Sequence, residues 1–136
     1  MVEDNRTTVI EILEKKGWSL DDPQVKRFYL YRDDVELKRS NIIALKDKKT
    51  IIIEIEGKPS PMNLSGTIWS INISNCYNIK EGDLKPLNDI SLFIIIPEMS
   101  ESTGEQIKTI KKYFKIGEGS LNDFKIVTIE EFEKLL

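Results

Sequence analysis

Two short apolar runs, Ile42–Leu45 and Ile51–Ile55, stand out in the hydrophobic pattern of the chain, with the charged segment Lys46–Lys49 between them. Both runs are rich in β-branched residues and are separated by turn-forming positions, so the pattern predicts a strand pair. The second run ends in two acids, Glu54 and Glu56. Residues two apart on a strand share a face. Desolvation disfavours two negative charges held together at the end of an apolar strand. Such a pair needs a cation, a basic neighbour or water, and this need makes it the first candidate site.

The remaining pattern gives the surrounding elements. Val9, Ile10, Ile12 and Leu13 form an apolar stripe at helical spacing and predict a helix over Thr7–Lys16, with Gly17 as its stop. Trp18–Pro23 reads as a loop, Val25–Arg32 as a strand and Asp33–Asp34 as a turn. Val35 and Leu37 alternate with Glu36 and Lys38, which extends the strand beginning at Ile42 backwards. Two prolines within Gly57–Pro61 end the second strand of the pair. Ser65–Asn78 fits helical and strand spacing alike; helix is the preferred reading, starting near Ser65 with Trp69 and Tyr77 partly buried. Lys80–Asp89 reads as a polar loop. Ser91–Ile96 is a continuous apolar run, as expected of a central strand buried on both faces. A helix over Glu105–Phe114, a loop at 117–119, a strand over Phe124–Thr128 and a helix over Ile129–Leu136 complete the chain. Thr128 and Glu131 have the spacing of a capping box. This order predicts one α/β domain spanning residues 1–136: a three-layer mixed sheet flanked by helices, with a right-handed crossover from Leu92–Ile96 to Phe124–Thr128.

Composition narrows the chemistry. The 136 residues suit one domain, and 40% hydrophobic with 32% charged residues marks a globular chain. There is no histidine, which excludes Ser-His-Asp and Cys-His catalysis and histidine-bound zinc. Acid–base work therefore falls to Asp, Glu, Lys or Tyr. Cys76 is the single cysteine and forms no internal disulfide. No apolar run is long enough to span a bilayer. The acidic Met1–Asn5 lacks the features of a signal peptide, so a cytoplasmic setting with no membrane partner is the default expectation. The net charge of −3 gives no global pull on nucleic acid. Lys38, Arg39, Lys46, Lys48 and Lys49 offer phosphate contacts, although a solvated turn is the simpler reading. Lys108, Lys111, Lys112 and Lys115 read first as the outer face of a helix. Trp69 and Tyr77 are base-stacking candidates whose simpler reading is core packing. Cys76 reads as inert.

Asn41-Ile-Ile-Ala-Leu45 and Ile51-Ile-Ile-Glu-Ile-Glu-Gly57, taken with the element order, resemble the PD-(D/E)xK, or restriction-endonuclease-like, nuclease superfamily, and look nearest to archaeal Holliday-junction resolvases. In that family an Asp starts the Ile-Ile-Ala strand and the next strand ends in Glu-x-Lys. The resemblance implies a metal site for Mg²⁺ or Mn²⁺ at Asn41, Glu54 and Glu56, and catalytic roles for Glu54, Glu56 and Lys58. It also implies a DNA or other nucleic-acid ligand and a possible homodimer or protein partner. Asn41 replaces the family's Asp and brings no charge to a cation. Glu56 replaces the family's Lys and reverses its charge. Glu11 or Glu14 stands for a glutamate of the family's first helix. A shifted motif, Glu56-Gly57-Lys58 with Asp34 or Asp47, is the weaker alternative. The leading expectation is a degenerate, weak or inactive nuclease-like protein that binds nucleic acid or a protein. An active metal-dependent endonuclease and a purely structural interaction module are the alternatives.

Overall fold

The computed structural model describes residues 2–21, 27–78, 83–114 and 119–136. The predicted strand start at Val25, parts of the loops at 18–23, 80–89 and 117–119, and Lys115 lie outside them. The elements are α1 Val2–Lys15, β1 Ser19–Leu20, β2 Phe28–Arg32, β3 Val35–Ser40, β4 Ile42–Lys46 and β5 Lys49–Ile55, followed by α2 Pro61–Ile73, β6 Cys76–Asn78 and β7 Lys85–Pro86, and then β8 Ile90–Ile95, α3 Glu101–Tyr113, β9 Leu121–Val127 and α4 Ile129–Leu135.

The opening strand pair is β4 and β5, antiparallel with Ile42 opposite Ile53 and Lys46 opposite Lys49. They sit inside a five-stranded sheet of order β1-β4-β5-β8-β9. β5, β8 and β9 run parallel. Because side chains alternate along a strand, β5 and β8 each feed two cores. Ile52, Leu92 and Ile94 join Leu64, Ile68 and Ile71 of α2, Ile107 and Ile110 of α3, and Phe28, Leu30 and Tyr77. Ile51, Ile53, Phe93 and Ile95 join Val9, Ile12 and Leu13 of α1 and Phe132 of α4. The domain is thus α/β with helices on both faces of a mixed sheet, and β8 is buried on both sides as its unbroken apolar run predicts.

A second sheet of order β3-β2-β6-β7 corrects the expected strand order. Val35–Ser40 does not extend β4. It pairs with β2 across a turn where Asp33 and Asp34 both take positive φ, and the chain then leaves this sheet. Asn41 is the single residue between β3 and β4. The alternation of Val35 and Leu37 marks a strand correctly but carries no information about which sheet it joins.

Local chemistry explains the shifted helix starts. α2 begins at Pro61, not near Ser65, because proline is pre-shaped for the first helical position and Ser60 caps it, accepting from the Asn63 N–H at 3.1 Å. Ser100 does the same for α3 through Thr103 N–H at 3.1 Å, so α3 starts at Glu101. Ser65–Asn78 is both things its ambiguous pattern allowed: helix to Ile73, then strand β6 from Cys76. Trp69 is 54% exposed, contrary to the expected partial burial, whereas Tyr77 is buried. The Thr128–Glu131 capping box is present. Gly17, at φ +87°, ends α1.

Candidate functional site

Glu54 is the sixth residue of β5 and faces the side of the sheet occupied by Ile52. Only 5% of the residue is exposed. Its two oxygens are both engaged. Lys38 Nζ lies 3.0 Å from Oε1, and Asn41 donates its backbone N–H to Oε2 at 3.0 Å. The Asn41 side chain points its Oδ1 at the Ile55 N–H, which donates to it at 2.8 Å. Asn41 therefore stitches the start of β4 to the end of β5 twice, once through its main chain and once through its amide.

Burial pushes the Glu54 carboxyl above its ordinary value, and the charge and hydrogen bond of Lys38, with the Asn41 N–H, oppose that rise. The hydroxyl of buried Ser40 lies close enough to favour the charged form. It makes no hydrogen bond of ordinary geometry. Lys38 is the partner that the sequence did not name for Glu54. The acid pair's need for a basic neighbour pointed to such a residue, but Lys38 sits on the other sheet. Only the crossing at Asn41 brings β3 beside β5.

The remaining expected site residues separate from this cluster. Glu56 lies past the end of β5, and its Oε1 accepts the Lys58 N–H at 3.0 Å. Its own N–H still reaches the Ile95 carbonyl at 2.8 Å. Lys58 is exposed, and its carbonyl accepts from Asn63 Nδ2 at 3.1 Å. Asn41 and Glu54 meet; Glu56 and Lys58 close a local turn instead. Glu11 and Glu14 are exposed on α1, which packs on the sheet face opposite Glu54. Asp34 occupies the β2–β3 turn, and Asp47 occupies the β4–β5 turn at the far end of β5 from Glu54.

Among the described residues there is no group of three or more acidic or cysteine side chains placed to share a metal ion. The donors present do not fit Mg²⁺ or Mn²⁺ as arranged. A divalent cation wants several free oxygens. Glu54 carries an ammonium, the Asn41 oxygen is committed to a main-chain N–H, and Glu56 is turned to its own loop.

The other candidates are largely engaged in packing. Arg39 stacks over Tyr29 and pairs with Glu36 at 3.3 Å. Lys46 donates to the Lys16 carbonyl at 2.9 Å and lies over Trp18. Lys111 and Lys112 sit over Phe124 and Tyr113. Tyr77 packs edge-on to Phe28, and burial, with Asp21 beside it, pushes its hydroxyl up to about 12. The Cys76 thiol is also pushed up, first by burial and then by Asp34 and Asp33, which suits an unreactive thiol. No described helix is long and apolar enough to cross a membrane.

The fold and the site define an α/β domain with a buried, internally neutralised acid at a strand end. No protein-family model, curated protein or solved structure matches the chain.

Proposed function

We propose that this chain is a restriction-endonuclease-like domain without metal-dependent cleavage, acting as a binding module for nucleic acid. The five-stranded sheet supports the frame. Leaving the second sheet aside, the chain runs helix α1, strand β1, the strand β4 that follows Asn41, the Glu54 strand β5, helix α2, and then strands β8 and β9 with α3 between them, in keeping with the helix, three strands, helix and two strands that the family resemblance implies. The observation that carries the loss of cleavage is the Lys38–Glu54 pair. An ammonium 3.0 Å from the one well-placed acid does the neutralising that a divalent cation does in a metal-dependent nuclease. A metal entering here must displace Lys38 and leave an ammonium near its own charge. Asn41 adds no negative charge to offset that cost.

Two measurements test the reading. The protein is incubated with Mn²⁺ and branched, single-stranded and double-stranded DNA, beside Glu54→Ala. No cleavage is expected from either; cleavage by the wild type that disappears in Glu54→Ala overturns the proposal. Binding to the same DNAs is then followed over a salt series. Affinity that falls as salt rises is expected of phosphate contacts. No binding at low salt overturns the nucleic-acid assignment and leaves a protein-interaction module.

A further inference from the structure

α1 and α4 do not cover the whole of their face of the five-stranded sheet. Toward the C-terminal ends of β5, β8 and β9, Ile53, Ile95 and Val127 join the core with Val9, Leu13 and Phe132. Toward the N-terminal ends the same face turns polar: Lys49 on β5, Ser91 on β8, Asp123 and Lys125 on β9, all exposed or half-buried. A hollow of about 540 Å³ opens there, with Trp18, Leu135 and Leu136 among its walls and Ile51, Phe93 and Lys125 on the sheet beneath. It lies on the opposite face from Glu54 and at the opposite end of β5. A bulge in β9 shapes its rim. Leu121 pairs with Ile90 and Asp123 with Ser91, which leaves Asn122 as the extra residue. Leu121 thereby enters the α2/α3 core while Asp123 and Lys125 keep the face of the hollow, and Asn122 lines it.

The charges of the hollow select its ligand. Lys125 Nζ lies 2.7 Å from Asp123 Oδ2 and 5.6 Å from the centre of the Phe93 ring. Burial works against the Asp123 charge, but hydrogen bonds from Lys125 and Ser91 outweigh it and hold the carboxyl below the usual range, so these two charges match. Lys48 and Lys49 make no ion pair with any described residue. Asp89 is the acid among the lining residues. Two free ammonium groups against one carboxylate leave a single positive charge beside an apolar wall. Small-molecule sites have this make-up, an apolar lining with a few polar groups that fix orientation. A doubly charged phosphate monoester leaves one charge unmatched, and a neutral apolar molecule leaves the lysines unused. We propose that the hollow binds an amphipathic monoanion, a carboxylate on an apolar body, with its carboxylate at Lys48 and Lys49 and its body against Phe93 and Leu135. Burial of the body supplies affinity, and the lysines fix which end enters. Nothing in this site involves Glu54, so it holds or fails apart from the nucleic-acid assignment.

The probe is anilinonaphthalene sulfonate, an aromatic monoanion whose fluorescence rises in apolar surroundings, titrated into the full chain while circular dichroism confirms folding. Saturable binding is expected. Dodecanoate is expected to displace the probe, and dodecylammonium, with the same tail and the opposite charge, is not. Lys48→Glu/Lys49→Glu is expected to weaken both anions about tenfold or more, the loss of one charge-assisted contact. Lys108→Glu/Lys112→Glu makes the same change of charge on α3, which packs on the other face of the sheet, and is expected to leave binding unchanged. Leu135→Asp, at an exposed position on α4, is expected to weaken both anions as well, which keeps the test open should the turn variant fail to fold. No saturable binding by the wild type, or displacement by dodecylammonium as well as by dodecanoate, overturns the proposal. So does Lys48→Glu/Lys49→Glu binding no weaker than that of the α3 pair, or Leu135→Asp binding as tight as the wild type. Displacement by a thymidine oligonucleotide but not by dodecanoate gives the hollow to nucleic acid and overturns it too.

Discussion

Replacing Lys38 with methionine removes a cation while keeping most of the aliphatic stem. The lysine side chain is 27% exposed and the Glu54 side chain 7%, so the variant leaves an acid inside the protein without its counter-charge. Breaking a buried ion pair from one side costs about 3–5 kcal/mol. The lower end applies here, because Lys38 reaches water and Asn41 keeps its N–H on Glu54 Oε2. A loss of about 3 kcal/mol, set against an unfolding entropy of about 2.1 cal/mol/K per residue, lowers the melting temperature by roughly 10 °C. The pH dependence is the sharper signature. Burial already raises the folded-state pKa of Glu54, and Lys38 opposes it. Protonation therefore favours the folded state. Its contribution is fully present below the unfolded carboxyl range and is lost as pH rises through the raised folded value. Without Lys38 the folded value climbs further and the window widens upward, with a slope of at most about 1.4 kcal/mol per pH unit. Urea unfolding from about pH 5 to about pH 8 is expected to show the Lys38→Met deficit growing with pH. Adding Glu54→Gln to Lys38→Met removes the stranded charge and should recover most of the loss. A Lys38→Met deficit that is constant with pH, or a double variant no more stable than Lys38→Met, would refute the reasoning.

Four further substitutions, at three positions, probe the supports around this site and elsewhere. Asn41→Ala deletes the acceptor of the Ile55 N–H and should cost about 1–2 kcal/mol in urea unfolding, since it leaves a partly buried donor unpaired. Asn41→Asp keeps an acceptor there but sets a second acid near Glu54, so its penalty should appear on raising pH and shrink on lowering it. Gly119→Ala drives a Cβ into the Asn72 backbone carbonyl and side chain, which also hold Ser120 and Leu121, and should lower stability by about 2 kcal/mol or more. Thr128→Ala removes the capping box of α4 and should cost about 1 kcal/mol, read from the thermal midpoint.

What the sequence could carry depended on how local each determinant was. β8 was legible because five adjacent apolar residues, Leu92–Ile96, need no tertiary information to demand burial on both faces. The Thr128 cap was legible because its partner is three residues away. The β3–β4 break was not, because Ser40–Asn41 carries no proline or glycine and its bend answers to which sheet each half joins. β6 was hidden for a similar reason: Cys76–Asn78 is short and polar, and its strand identity comes from pairing with Tyr29–Tyr31 on β2. The site divides the same way. An acid inside Ile51–Ile55 advertises itself in any reading. The lysine that answers it lies sixteen residues earlier on another sheet, and nothing near Lys38 marks it as different from the chain's other lysines.

The Lys38–Glu54 pair is not explained by stability, because well-packed apolar residues in place of a buried ion pair are often as stable or more so. Its position offers a different account. Lys38 is on β3, Glu54 on β5, and Asn41 between them holds both the Glu54 carboxylate and the Ile55 N–H. The chain changes sheets over this one residue. Apolar burial is non-directional, and β5 is apolar on both faces, so its contacts fix the alignment less sharply than an ammonium and two directed N–H bonds, which are satisfied in one alignment only. The pair therefore sets how the second sheet is hung on the first. The candidate metal-site residues Asn41 and Glu54 sit where the chain changes sheets, and the acid at position 54 has in Lys38 a partner that makes a metal unnecessary for its burial.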